Sequence, residues 1–413
     1  MGMTLNLGAT GRDEPSVDAA AGGSSRHRGP LAGTTVLDLA SVGPGARCTR
    51  LLADYGAGVV KVVPAGSGRG ARTEPPYFAY SANRAMSRVR IDLKAEGGRE
   101  AFMTLAARSD VVVESFRPGV VERLGIAYDD VRAKNPSVVY CSTTGYGQAG
   151  RRAGWAGHDV DYLAVGGYLA ASGRRADGGP PLPGATVADA AAGGMQAALA
   201  VTTALVHRAA TGEGAFLDVS VADGVVWLMS LPVDEHLATG SEPGPGHDIV
   251  SGRYACYDTY ETADGRWLAV GAIEPKFFAS LCRMLGCEQW IDHQLDDGVQ
   301  EAVRLDFRAA FATRSRDDWV SELGPADCCV APVLSVAEVA DDPDLAERKA
   351  VVDAVHPVHG RMRQIGHVLA GMVPLEAPVL LPDPSATDTD RLLGEAGADP
   401  ATLERWRARG VIS

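Results

Sequence analysis

Two residue types, at two separate places in this chain, suit the movement of a proton on and off carbon. His158 stands in the run Gly157-His158-Asp159-Val160-Asp161-Tyr162, and Asp189 opens the stretch Val187-Ala188-Asp189-Ala190-Ala191-Ala192-Gly193-Gly194-Met195. A neutral imidazole accepts a proton near pH 7, and a carboxylate or its acid serves the opposite face of the same carbon. Each also has a plainer reading. An aspartate ahead of a helix is an N-cap about as often as it is anything else, and a single histidine beside glycine is commonly packed or solvated. The seven cysteines are scattered, with Cys328 and Cys329 adjacent and no CxxC pair. That pattern fits free thiols, with no zinc site and no disulfide framework.

Positioning such groups needs a rigid frame, and the sequence supplies one. Val36-Leu37-Asp38-Leu39-Ala40 reads as a buried strand, followed by the turn Ser41-Val42-Gly43-Pro44-Gly45, a helix through Leu51–Tyr55 and a strand at 59–63. A helix at 99–108 and strands at 110–114 and 137–141 continue the rhythm. Strands separated by helices of about ten residues predict a parallel sheet covered on both faces. The Gly43-Pro44-Gly45 turn lacks the GxGxxG spacing of a dinucleotide site. It would still lie at a strand's carboxyl end, where ligands of open α/β sheets gather.

A long helix is expected over 190–209, then a strand at 216–221, a helix over 222–238 and a Gly/Pro linker at 240–246. The start of the 190–209 helix is a candidate oxyanion site, with Gly193 and Gly194 letting a substrate approach the backbone. After the linker, 254–260 and 266–271 form a hairpin, with helices at 277–285 and 306–312. The fold class is α/β, a Rossmann-like large domain with a smaller α+β domain. The expected divisions are a leader over 1–28, the large domain over 29–220, a linker over 221–246, the small domain over 247–328, and a return to the large domain over 329–413.

Composition narrows the partners. The net charge of -13 argues against nucleic acid, which wants a basic face. No apolar run approaches the roughly 20 residues that cross a bilayer, and 1–28 lack the apolar core of a signal peptide. A cytoplasmic protein is expected, with no metal and no membrane partner.

Motifs in order along the chain then carry a resemblance. These are Gly29-Pro30-Leu31-Ala32-Gly33, Leu51-Leu52-Ala53-Asp54-Tyr55-Gly56-Ala57, Ile91-Asp92-Leu93-Lys94 and Val113-Glu114-Ser115-Phe116-Arg117-Pro118-Gly119. Glu122-Arg123-Leu124-Gly125, Gly145-Tyr146-Gly147-Gln148 and Cys329-Val330-Ala331-Pro332-Val333 follow. From about residue 29 onward the chain resembles the family III CoA-transferase and α-methylacyl-CoA racemase superfamily (CaiB/BaiF type). Its Gly157-His158-Asp159 and Gly271-Ala272-Ile273-Glu274-Pro275 segments are similar to the racemase branch, and it lacks the glycine run that resembles the lid of formyl-CoA transferases.

The resemblance implies an isomerase acting on the α-carbon of a 2-methyl-branched acyl-CoA, with His158 and Asp189 as the two bases and Glu274 tuning His158. CoA is then only the carrier part of the substrate, and no further cofactor is required. A transferase with Asp189 as nucleophile is the alternative, and a divergent homologue acting on another thioester is a third. The implied CoA contacts are Val42, Gly43, Lys61, Leu93, Phe116, Arg123 and Tyr146, with Lys61 and Arg123 favoured for phosphate. Tyr257 is a further neighbour of the site. The chain departs from the family at Val62-Val63-Pro64-Ala65-Gly66 and Asn83-Arg84-Ala85-Met86-Ser87-Arg88, which moves the phosphate contacts to Arg69, Arg72, Arg84 or Arg88. The resemblance also implies an interlocked homodimer.

Overall fold

The computed structural model describes residues 28–65, 83–376, 378–383 and 386–413. The leader up to residue 27 and the expected phosphate contacts Arg69 and Arg72 lie outside the described residues. The first half of the chain runs β1 (Thr35–Asp38), α1 (Gly43–Asp54), β2 (Gly58–Val63), β3 (Ser87–Arg90), α2 (Gly98–Ala106), β4 (Val111–Glu114) and β5 (Val139–Thr144). It continues through α3 (Asp159–Val165), a π-helical segment (Ala188–Met195), α4 (Gln196–Thr211), β6 (Ala215–Ser220) and α5 (Val221–Leu228). The six strands form one all-parallel sheet in the order β3-β2-β1-β4-β5-β6.

Every residue of β4 and β5 is buried, as a sheet covered on both faces requires. One face packs Leu37, Val112 and Tyr140 against Phe102 of α2, and the other packs Val36, Val113 and Cys141 against Leu52 of α1 and Val201 of α4. Strand order reverses between β1 and β4. The crevice at their carboxyl ends is therefore where this topology gathers ligands.

Three local expectations change. Ser87-Arg88-Val89-Arg90 shows no strand pattern, yet it pairs with β2 as the sheet edge, where burial of Val89 alone suffices. The expected helix over 222–238 breaks at Met229 into α5 and Ser230–Thr239. Pro232 explains the break, since its ring collides with the carbonyl four residues back. The π-helical segment and α4 also join into a 24-residue helix, Ala188–Thr211, long and apolar enough by length and composition to cross a bilayer. The sequence reading had expected no such span. A third of its most apolar stretch is buried, and Leu199 and Val206 lie on its exposed side.

The second half builds two smaller antiparallel-rich sheets. The hairpin of β7 (Tyr257–Glu261) and β8 (Trp267–Gly271) precedes α6 (Pro275–Leu285) and closes on β9 (Val330–Pro332). Its core gathers Tyr260, Phe278, Phe307, Phe311 and Trp319. The segment from Cys329, expected to rejoin the large domain directly, thus first adds a strand to the small-domain sheet. β10 (Val351–His356), β11 (Gly360–Ile365) and β12 (Val379–Leu380) then form a third sheet. Only with α7 (Thr389–Glu395) and α8 (Pro400–Ala408) does the chain return to the core that holds Phe102, through Leu393, Trp406, Val411 and Ile412.

A buried charge cluster ties this late region to the end of α1. Asp54 pairs with Arg50 and with Arg84 at 3.5 Å, and His367 Nε2 lies 3.0 Å from its carboxylate. Arg84, 2% exposed, also donates to the Ile365 carbonyl at 2.7 Å. The expected role of Arg84 on a phosphate is thereby overturned: its guanidinium is sealed inside the fold. Burial alone would raise the Asp54 carboxyl, but the His367 hydrogen bond and the charges of Arg50 and Arg84 outweigh it and hold it below its ordinary value. Removing one partner of such a cluster strands a buried charge. Asp54→Asn should therefore cost about 3–5 kcal/mol in urea denaturation. Because the folded state lowers this carboxyl, the contribution of Asp54 is present above its ordinary pKa and disappears as pH falls below it.

Candidate active site

The site begins with backbone packing. Gly43 has φ +72°, a conformation that favours glycine, and a Cβ added to it would stand 3.8 Å from Asp189 Oδ2. The first turn of α1 therefore meets Asp189 directly. A Cβ on Gly193 would fall 2.5 Å from Pro44 Cβ, and one on Gly194 would fall 2.6 Å from Arg47 Cβ. Both glycines are buried. They serve close approach of α1, and the expectation that they open the backbone to substrate is not met. A π-helix widens the turn by one residue and recurs at functional sites. Here it carries Asp189 at its second position.

Asp189 receives its surroundings from three elements. Its own N–H donates to Asp159 Oδ1 at 2.8 Å, so this amide is not available as an oxyanion donor. Burial raises the Asp189 carboxyl above its ordinary value, and the nearby charge of Asp159 adds to the rise. Arg47 and His158 act in the opposite sense. His158 is therefore within electrostatic reach of Asp189, although one comes from α3 and the other from a segment 31 residues later. His158 is the exposed N-cap residue of α3, and its backbone N–H donates to Asp161 at 2.9 Å. Tyr162 lies behind it, donating to the Gly157 carbonyl at 2.6 Å, with Tyr146 5.2 Å away ring to ring.

Three contributors were absent from the sequence reading. Arg47, Asp159 and Thr186 all border Asp189, and Arg47 Nη2 donates to Thr186 Oγ1 at 2.6 Å. The only signal for Arg47 is its place one helical turn beyond Gly43, which puts both on one face of α1.

The other expected site residues divide. Val42 is exposed at the start of α1, next to Gly43, and Tyr146 packs against Gly157. Leu93 and Phe116 are partly buried against the main core. Arg123 is exposed, and among the described residues no hydrogen bond or ion pair engages its guanidinium. Lys61 is different. It is buried, with Nζ 2.9 Å from Asp38 Oδ2 and 2.8 Å from the Ala40 carbonyl. Its charge holds the fully buried Asp38, so its expected phosphate role gives way to a structural one. Arg88 lies on the edge strand β3, its N–H donating to Asp388 at 3.2 Å.

Glu274 caps α6 in the small-domain region, exposed and beside Cys329. Among the described residues no hydrogen bond or ion pair joins it to His158. Tyr257 begins β7, on the same small sheet. Within one chain, then, the Asp189 amide is bonded to the residue that follows His158, and among the described residues no such link reaches Glu274. No group of three or more metal-ligating side chains occurs among the described residues.

The family model for CoA-transferase family III matches residues 31–387, most of the chain. The chain belongs to that family. It is 33% identical over 323 residues to human alpha-methylacyl-CoA racemase, covering 78% of this chain and 82% of that protein. It is 31% identical to succinyl-CoA:mesaconate CoA-transferase from Haloarcula hispanica, covering 91% of this chain and 98% of that one. The crystal structure of a CaiB/BaiF family protein from Brucella suis superposes with a TM-score of 0.73 at 26% identity, over 89% of this chain and 99% of the other. Its α/β fold with one large parallel sheet is therefore that of the family, whose substrates are CoA esters.

The two expected phosphate cations should behave oppositely. Lys61→Met strands the buried Asp38 and should cost about 3–5 kcal/mol of unfolding free energy. Arg123→Gln should leave stability within about 0.5 kcal/mol. It should instead raise KM for an acyl-CoA by about 10-fold to 100-fold, the worth of a charge-assisted hydrogen bond.

Proposed function

We propose that this protein epimerises the α-carbon of a 2-methyl-branched acyl-CoA by two-base proton transfer between His158 and Asp189. The observation that carries the reading is that the Asp189 N–H is bonded to Asp159, the residue after His158, while the Asp189 carboxylate abuts Gly43 at the turn after β1. A hydrogen next to a thioester carbonyl is acidic because the resulting enolate spreads charge onto oxygen. One base takes that proton, its electron pair enters the enolate, and the other group returns a proton on the opposite face. The roles exchange with direction. His158 is open to solvent and Asp189 is half-buried, so protons exchange with water more readily at the histidine.

The similarity to a racemase supports this reading, while the similarity to a CoA-transferase over even more of the chain supports an alternative. In that alternative, the Asp189 carboxylate attacks the thioester carbonyl, the C–S bond breaks to release the CoA thiolate, and a mixed anhydride forms on Asp189. Val42, Gly43, Leu93, Phe116, Arg123 and Tyr146 remain the proposed carrier contacts. An interlocked homodimer accounts for two further features. Trp227, Leu231 and Leu237 are 77%, 59% and 75% exposed along α5 and the next helix, a large apolar surface for a lone chain. In such a dimer the Glu274 that serves one His158 comes from the other chain.

Incubating one enantiomer of a 2-methylacyl-CoA in heavy water, without an acceptor acid, should wash deuterium into the α-position and produce the other enantiomer. Trapping of an acyl group on Asp189 by hydroxylamine, with no label at carbon, would point to the transferase. His158→Gln should lower exchange from one enantiomer by at least about 100-fold, within the range of general acid–base effects. Asp189→Asn should do so for the opposite one. Because folding raises the Asp189 carboxyl, its limb of the pH profile should sit above the ordinary aspartate range, with activity falling as pH drops through it.

A further inference from the structure

We infer that Arg47 is a positioning residue for Asp189, holding that side chain as the anionic base from its tethered place on α1. The inference rests on the reading of Asp189 as an acid–base group. Its geometry is fixed at both ends. Gly194 has no room for a side chain because Arg47 Cβ stands in that place, so the root of the arginine is locked against the π-helical segment. At its tip, Nη2 is bonded to Thr186, three residues ahead of Asp189 on the strand of chain that leads into the segment. Gly43, one turn earlier on the same helix, abuts the Asp189 carboxylate itself. The guanidinium thus spans the entrance of the segment that presents the base.

The charges facing Asp189 show why a cation is required there. Four elements pack on the π-helical segment: α1, α3, α4 and α5. From α3 and its cap come Asp159, hydrogen-bonded to the Asp189 amide, then Asp161, Tyr162 and His158. α5 carries Asp223, exposed, and α4 carries no ionisable side chain before His207 and Arg208, of which Arg208 pairs with Asp110. On α1, Arg50 is engaged by Asp54. Arg47 is therefore the permanently charged cation from these four elements that acts on Asp189. His158 contributes positive charge only when protonated. Burial and Asp159 together favour the protonated, inactive acid, and Arg47 opposes them whatever the state of His158.

The test follows the ionisation of Asp189 apart from turnover. The protein is labelled with ¹³C at aspartate carboxyls, and the Asp189 resonance is assigned by its loss in Asp189→Asn. In Arg47→Gln the titration of that resonance should move upward by about one pH unit, and Arg47→Lys should restore most of the shift. Thr186→Val keeps every charge and removes the tether, so it should move the titration upward by less. It also serves if Arg47→Gln fails to fold. The acid limb of α-deuterium exchange should move in step. An Asp189 titration that stays in place in Arg47→Gln, or in Thr186→Val should that protein be the one that folds, overturns the inference. A wild-type protein that exchanges no α-hydrogen would instead remove the proposed reaction, while the titration still judges Arg47.

Discussion

The close seating of the π-helical segment on α1 is the constraint on which the rest of this structure depends. Two helices can approach so nearly only where one surface lacks side chains, and Gly193 and Gly194 supply that surface against Pro44 and Arg47. The other side of the segment is held by the same device. A Cβ on Gly224 of α5 would lie 2.1 Å from the Ala192 carbonyl. Asp189 is thereby fixed beside the turn after β1, at the point where the strand order reverses. Position in the sheet and position of the carboxylate are one fact.

α1 itself is anchored by buried charge at both ends. Near its start, Asp38 accepts from Thr49 Oγ1 and the Ala40 amide, both at 2.8 Å, and pairs with Lys61. At its end, Asp54 gathers Arg50, Arg84 and His367. Buried ion pairs of this kind are poor sources of net stability but severe when broken. Their effect here is to fix the axial position of a helix that carries Gly43 and Arg47 to the π-helical segment of Asp189. Cations that would otherwise be available to a CoA phosphate are consumed in doing so, which leaves Arg123 as the exposed one of the expected pair.

The site is electrically asymmetric. Asp189 is half-buried beside a second acid, and His158 is exposed to solvent. A low-dielectric surrounding magnifies each neighbour of the aspartate, and water screens those of the histidine. Glu114 offers a contrast nearby. Burial pushes its carboxyl up to about 7, against hydrogen bonds from Ser142 and the Phe116 amide that lower it. It braces the Phe116 loop from below.

Much was legible from the residues alone. Runs such as Val36-Leu37 and Val111-Val112-Val113 announce buried parallel strands because a strand covered on both faces has no polar side to show. The ordered motifs announce the family. Charge was where sequence failed. Lys61 and Arg84 look like free cations on paper, because the carboxylates that engage them lie 23 and 30 residues away. Arg47 looks like one more helix residue until Gly194 is folded against it, and Glu274 looks like a neighbour of His158 although, among the described residues, no hydrogen bond or ion pair within one chain joins them. Sequence determined which chemical groups this protein owns and which strands frame them. Tertiary structure alone decided which charges neutralise each other, since electrostatic energy depends on distance and burial, and neither is a property of order along a chain.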